Sequence, residues 1–406
     1  MTPKEFAFEV AQTLQNRGHQ GLWAGGCVRD RLLGRKPKDY DIATDATPDQ
    51  VREIFGRRKT IAIGAAFGVI TVIGSKSSGN IEVATFRRDS SYSDGRRPDA
   101  VEFTDAREDA IRRDFTINGM FFDPVAEEII DYVDGKADIE CRMVRAIGDP
   151  HERIDEDKLR MLRAVRFAAT YNFELEQETL AAITQHATEI RIVSSERIGS
   201  EVRRMLSHPN RSNAVVLLRA SGLLKEILLD GELLYENSGN WQTCLRWLTE
   251  LGDDGNFEQA AAILLSSLIK QQSLLPTIER WKLSNSESEA ITWIEEHVSS
   301  LAQAHQLPWS EIQPLLINKN AESAVRVAEI QFGEQHEGVR ICRERLAWPE
   351  SDLNPKPLID GEDLVKMGLK PGPLFKQILD RARAMQLDGE ITSVQSALKL
   401  AQEIAS

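Results

Sequence analysis

Ala24–Asp41, AGGCVRDRLLGRKPKDYD, is the stretch whose reading decides the fold. A short apolar run, Leu22-Trp23-Ala24, ends at the pair Gly25-Gly26. A basic amphipathic segment with Arg29 and Arg31 follows, then a turn from Gly34 to Pro37, then Asp39-Tyr40-Asp41 entering another strand. Glycines let a backbone approach a bulky ligand, because no Cβ intervenes. A helix that opens just after them turns free N–H groups toward whatever sits there, which suits a phosphate, and Arg29 adds a charge-assisted contact to it. Asp39 and Asp41 alternate on a strand and so share a face. Two carboxylates side by side repel, and a hard divalent cation relieves the repulsion. A glycine pair alone is usually a turn, and two alternating aspartates are usually a solvated strand end. In this order and spacing they point to nucleotidyl transfer assisted by two metal ions.

The rest of the chain bounds that reading. With 406 residues it holds more than one domain. Its four cysteines, Cys27, Cys141, Cys244 and Cys342, are scattered, so neither a zinc site nor a disulfide framework is indicated, and all four are expected as buried thiols. No leader-like or membrane-spanning apolar run is present, and the expected location is cytoplasmic. The net charge of −13 argues against a generic nucleic-acid binder. Arginines nevertheless concentrate around Arg87–Arg113 and Arg142–Arg166, which leaves room for a basic cleft on an acidic protein.

Working outward, Thr2–Gln15 has helical periodicity. Thr47-Pro48 opens a helix through Ile54, and Phe67–Ile73 and Asn80–Thr85 read as hairpin strands around SKSSG. Glu82 is read as a solvent-facing strand residue rather than a third acid at the metal site, and Arg87–Asp99 as a mobile polar loop. Asp105 or Thr104 caps a helix ending near Arg112, and Arg112-Arg113-Asp114 then leads into FTINGM. Further on, Asp157, Arg160, Arg163 and Arg166 recur every three residues, so on one helix they form a stripe opposite Leu159, Leu162, Val165 and Phe167. Cytosine and adenine both present an amine donor beside a ring-nitrogen acceptor. An Asp acceptor beside an Arg donor complements both and rejects uracil and guanine. From Asn210 the chain is helical, with Leu- and Ala-rich amphipathic segments, and its tryptophans read as packing residues.

Three segments together, AGG…DYD, RRDFTIN and EDKLRMLRAVR, resemble class II of the nucleotidyltransferase superfamily: bacterial CCA-adding enzymes and bacterial poly(A) polymerases. DYVDGKAD, SSERIGSEVRRML and GLKPGPLFKQIL add weaker matches. The resemblance implies an α+β fold. A catalytic head with a mixed sheet spans residues 1–140, a helical neck 141–210, a helical body 211–330, and an RNA-binding helical tail 331–406. It implies that Asp39 and Asp41 hold two Mg²⁺, that Gly25, Gly26, Arg29 and Arg113 position the triphosphate, and that Asp114 and Asn118 hold the sugar or order the site. It further implies that Asp157 and Arg160 select the base, and that Arg163 and Arg166 contact the nucleotide. Substrates would be CTP, ATP and the tRNA 3′ end, with no membrane and no stable protein partner. The loop at Arg87–Asp99 looks more like the CCA-adding branch than the poly(A) branch. A CC-adding or A-adding partial enzyme, a poly(A) polymerase and a non-catalytic RNA-binding relative remain the alternatives.

Overall fold

The computed structural model describes residues 1–89, 101–228, 238–269 and 274–405. The chain divides into two compact units, Met1–Leu229 and Asp230–Ser406.

The first unit starts with α1 (Pro3–Asn16), opened by a capping box: Thr2 Oγ1 accepts from the Glu5 N–H, and Glu5 accepts from the Thr2 N–H. Next come β1 (Leu22–Ala24), α2 (Gly26–Leu32), β2 (Asp41–Thr44) and α3 (Pro48–Phe55), the last capped by Thr47 with Pro48 in its first turn. β3 (Thr60–Ile61), β4 (Val69–Val72) and β5 (Ile81–Thr85) follow. With β8 (Phe121–Asp123) and β9 (Glu128–Ile130), introduced below, they form a seven-stranded mixed sheet ordered β3-β4-β5-β2-β1-β8-β9. Only β2 and β5 run parallel in it. One face buries Trp23, Ile42, Ile70 and Val83, and the Trp23 indole N–H donates to the Ala7 carbonyl of α1. The other carries Leu22, Ala24, Ala43 and Phe121, packed with Ala106 and Ala110. That second cluster stops short of Asp41, which stays exposed at the start of β2.

Arg87–Asp89 does not begin a loop. It is β6, paired antiparallel with β7 (Val101–Phe103). The rest of that expected loop, residues 90–99, lies outside the described residues. α4 (Ala106–Ile111) is capped by Asp105 as expected, through the Glu108 N–H. After β8 and β9, Asp131 accepts three backbone N–H groups, from Val133, Gly135 and Lys136, and so closes the turn into α5 (Gly135–Glu140).

β10 (Met143–Val144) leads to α6 (Pro150–Glu156), α7 (Arg160–Tyr171), β11 (Glu174–Leu175), α8 (Gln177–His186), α9 (Ser195–Leu206) and α10 (Arg211–Ala220). The single helix expected to carry the stripe is two helices. Asp157 sits between them in extended geometry, φ −151° and ψ 105°. Leu162, Val165 and Phe167 are buried on α7, as the pattern requires.

In the second unit all described elements are helical. Capping boxes at Asn256 and Ser284 open Phe257–Leu268 and Asn285–Ala302. Trp241 and Trp281 are buried as expected, whereas Trp348 is 42% exposed and packs edge-on to Trp309 at 5.6 Å. The last three helices close their own small core, with Leu364, Ile378, Ala397 and Ala401 at its centre. Three cysteines are buried thiols, but Cys141 is exposed at the end of α5, against expectation.

Candidate active site

The register of the sheet builds the floor of a cleft. Asp41 in β2 stands opposite Ala24 in β1 and opposite Glu82 in β5. Cross-strand neighbours share a face, so the Asp41 and Glu82 carboxylates emerge side by side. Glu82 is therefore not merely solvent-facing: both it and Asp41 line a cleft of ≈ 540 Å³. Surrounding protein, then Glu82 and Asp39, push the Asp41 carboxyl up to about 6, with Arg113 pulling the other way. Asp39 lies exposed in the loop just before β2, outside the ladder, so strand alternation does not place it.

Gly25 and Gly26 line the cleft where α2 begins. Gly25 has φ +69°, and a Cβ there would meet Arg113 Nη1 at 3.1 Å. Glycine serves both needs at once. Arg29 is buried, and most of its donors are spoken for within the protein. Nη1 donates to Asn118 Oδ1 at 2.5 Å, and Nε and Nη2 donate to Asp30 at 3.0 and 2.9 Å. Its guanidinium lies 4.4 Å from the Tyr171 ring centroid and 5.2 Å from that of Phe167. Asn118 Nδ2 in turn donates to Asp114 Oδ1 at 3.1 Å, and Arg163 Nε and Nη2 grip Asp114 Oδ2 at 2.9 and 2.5 Å. The relay Asp30–Arg29–Asn118–Asp114–Arg163 thus runs unbroken from α2 to α7. Burial works to raise the Asp114 carboxyl, but Arg163, Asn118 and Arg160 outweigh it and hold it near about 2.

Arg113 is aimed by Asp109 on α4, a residue that is 1% exposed. Arg113 Nη2 and Arg112 Nη2 reach its two oxygens at 2.9 and 2.7 Å. Asp157 is clamped by Arg197 of α9, whose Nη1 and Nη2 donate at 3.0 and 2.7 Å, and it also accepts the Leu159 N–H. Arg160 donates to Glu156 at 2.5 Å and to the Arg153 carbonyl at 2.9 Å. Ten of the twelve expected residues therefore line one cleft: Gly25, Gly26, Arg29, Asp41, Arg113, Asp114, Asn118, Asp157, Arg160 and Arg163. Arg166 does not. It is turned onto Glu201 at 2.5 Å and over Phe167 at 4.1 Å. Asp39 is not part of the wall either. Sequence reasoning missed Asp109, Arg197 and Glu201 as partners. Arg197 and Glu201 fall in SSERIGSE, a segment that carries the family resemblance but no sign of these contacts; Asp109 carries no signal.

The hard-oxygen set at the cleft floor suits a divalent cation, since a metal would offset both the desolvation and the Glu82 and Asp39 charges that raise Asp41. Among the described residues, the three-residue group with closely converging metal-binding atoms is elsewhere: Asp155, His186 and Glu189, within 4.8 Å of one another. There the Lys158 ammonium already bridges Asp155 and Glu189 at 2.5 Å each. His186 of that cluster also meets His151 at 3.0 Å.

A mixed sheet carrying paired acids opposite an arginine-lined helix defines a nucleotidyltransferase. Residues 22–145 match the "Poly A polymerase head domain" family, and residues 172–233 match "Probable RNA and SrmB- binding site of polymerase A". The chain belongs to the CCA-adding enzyme family. It is 34% identical to the CCA-adding enzyme of Lactococcus lactis subsp. lactis over 98% of this chain and 96% of that one. It is 31% identical to that of Levilactobacillus brevis over 98% and 97%. Its fold is similar to that of the Bacillus stearothermophilus CCA-adding enzyme in complex with CTP, with a TM-score of 0.79, 29% identity and coverage of 99% and 98%. The Thermotoga maritima CCA-adding enzyme complexed with tRNA_CCA shares the fold at a TM-score of 0.68 and 19% identity, with coverage of 99% and 95%. Among the described residues no helix is long and apolar enough to cross a membrane.

Proposed function

We propose that the cleft adds CMP and AMP from CTP and ATP to the 3′ end of tRNA, without a nucleic-acid template, releasing pyrophosphate. The observation that carries this reading is the convergence, on one cleft, of Asp41, the RRD arginine and the Asp157–Arg160 pair from segments far apart in sequence. In it, Asp39 and Asp41, with Glu82 beside them, would hold two Mg²⁺; such ions, when bound, activate the attacking hydroxyl and offset charge on the leaving pyrophosphate.

The protein's own groups do the rest. Gly25 and Gly26 leave room for the triphosphate, and Arg113, pre-aimed by Asp109, meets its charge. Arg29 and Asn118 act through the relay to Asp114, which keeps Arg163 pointed at the nucleotide. Asp157 and Arg160 read the base edge. Both are already engaged by protein partners, Asp157 by Arg197 and Arg160 by Glu156, so they are held in place before a base arrives. Arg166 acts one step back, by bracing Phe167 in the cleft wall.

In this reading residues 1–140 are the catalytic head, 141–210 the neck, 211–330 the body and 331–406 an RNA-binding tail. Four free cysteines suit the reducing cytoplasm. The test is incorporation of labelled CMP and AMP by Asp39→Ala and Asp41→Ala proteins, with the fold followed by circular dichroism. Transfer is expected to vanish with an unchanged spectrum; near-normal turnover in either protein would overturn the metal assignment.

A further inference from the structure

A second concavity, of ≈ 820 Å³, lies at the turn between α2 and β2 and the start of α1. Five cations line it: Lys4, Arg31, Arg35, Lys36 and Lys38, all exposed. Among the described residues none of the five has a carboxylate within ion-pair distance. The acids near them in sequence are committed elsewhere or stand apart. Glu5 caps α1, and Asp30 holds Arg29 and Tyr171. In a chain of net charge −13, five unneutralised cations around one hollow are a local reversal of sign.

The hollow is built. Its floor is Trp23 and Tyr40, both buried and packed edge-to-face at 4.8 Å. Its rim is a fixed turn: Gly34 adopts φ +66°, and the Arg35 N–H closes back onto the Asp30 carbonyl at 2.8 Å. Arg31 is laid over the Phe122 ring at 4.3 Å.

The groove also adjoins the cleft. The Arg35 guanidinium lies 4.9 Å from the Tyr171 ring centroid, and Arg29 of the cleft lies 4.4 Å from the same ring. Both arginines therefore contact the same aromatic ring, which links the groove on the Trp23 face of the sheet to the cleft on the Ala24 face. Lys38 is only three residues from Asp41, a span of at most about 11 Å even fully extended.

We propose that this groove binds the phosphodiester backbone of the RNA substrate just upstream of its 3′ end, while that end lies in the cleft. The inference rests on the proposed function for the identity of the polyanion. Phosphate contacts carry no base information and are purely a matter of charge. The groove therefore anchors any acceptor strand at a fixed distance from Asp41, whatever its sequence.

The test uses the full chain carrying Lys4→Ala, Arg35→Ala and Lys36→Ala together, beside a charge-keeping control with Lys4→Arg, Arg35→Lys and Lys36→Arg. Binding of a tRNA transcript is measured across a salt series, and KM is measured separately for tRNA and CTP. Losing three phosphate contacts should flatten the slope of log Kd against log salt by about 2 and weaken binding about 10-fold or more at moderate salt. KM for tRNA should rise in step, with KM for CTP unchanged and the control like the parent. Unchanged tRNA affinity and slope would overturn the proposal. So would a rise in KM confined to CTP, which would give the groove to the triphosphate. A parent protein that binds RNA with this charge dependence but adds no nucleotide would refute the proposed function and leave the groove standing.

Discussion

Asp41 makes the site sensitive to pH in a direction that can be worked out. Its carboxyl, open to the cleft but hemmed in by protein on its other sides, is raised to about 6 in the folded protein, above the ordinary carboxylate value, by that partial desolvation and by Glu82 and Asp39. A raised acid stabilises the fold fully below its unfolded pKa, and that contribution is lost as pH rises through the folded pKa. In chelator, Asp41→Asn should therefore have a higher Tm than the parent at pH 7.5. The difference should shrink through pH 6 and vanish near pH 4. An equal Tm at every pH would show that Asp41 is not under electrostatic strain. Asp114 is the opposite case. Held near about 2 by Arg163 and Asn118, it stabilises the protein above the ordinary carboxylate range and loses that contribution only as pH falls toward 2. Arg163→Ala leaves its partner charge buried and unpaired and should cost about 3 kcal/mol in urea unfolding at pH 7; a change under about 0.5 kcal/mol would mean that the relay is not coupled to the fold. Asp41, Arg113 and Asp114 were legible in sequence because their chemistry sits in short local motifs. Asp109 and Arg197 were not: each acts by a contact whose partner is fixed only once separate helices pack.

The break between α6 and α7 matters most at the level of elements. Spacing of three made Asp157, Arg160, Arg163 and Arg166 look like one stripe, and three of them do share α7. Asp157 left the helix because its side chain competes for the backbone. It accepts the Leu159 N–H, as aspartates do at helix starts, and Arg197 holds both its oxygens from α9. A periodicity argument cannot see that competition. Arg197 should accordingly matter to selection without touching nucleotide. In Arg197→Ala, discrimination of CTP and ATP against UTP should fall about 10-fold or more, the loss of about 1.4 kcal/mol of differential binding. Affinity for tRNA should hold, and Arg197→Lys should recover only part of the loss, since lysine cannot make the bidentate grip. Selection that survives Arg197→Ala would remove Asp157 from base reading. The sheet was more readable: β1, β2, β4 and β5 fell where alternation and glycines put them. β6 was missed because a charged three-residue strand has no apolar face to announce it.

Over the whole molecule, the catalytic cleft and the basic groove both belong to the unit Met1–Leu229, while Asp230–Ser406 is helical throughout its described elements. The helical pattern from Asn210 onward was legible in composition, and every described element past that residue is helical. The central claim is the sequence of additions to tRNA. It is tested most directly with three tRNA transcripts, one lacking CCA, one ending in CC and one complete, each incubated with CTP, ATP or both plus Mg²⁺ and sized at single-nucleotide resolution. The account predicts growth by CCA on the first, by A on the second and none on the third. Long A tracts on any RNA, a halt at CC, addition of the terminal A alone, or no incorporation at all would contradict it.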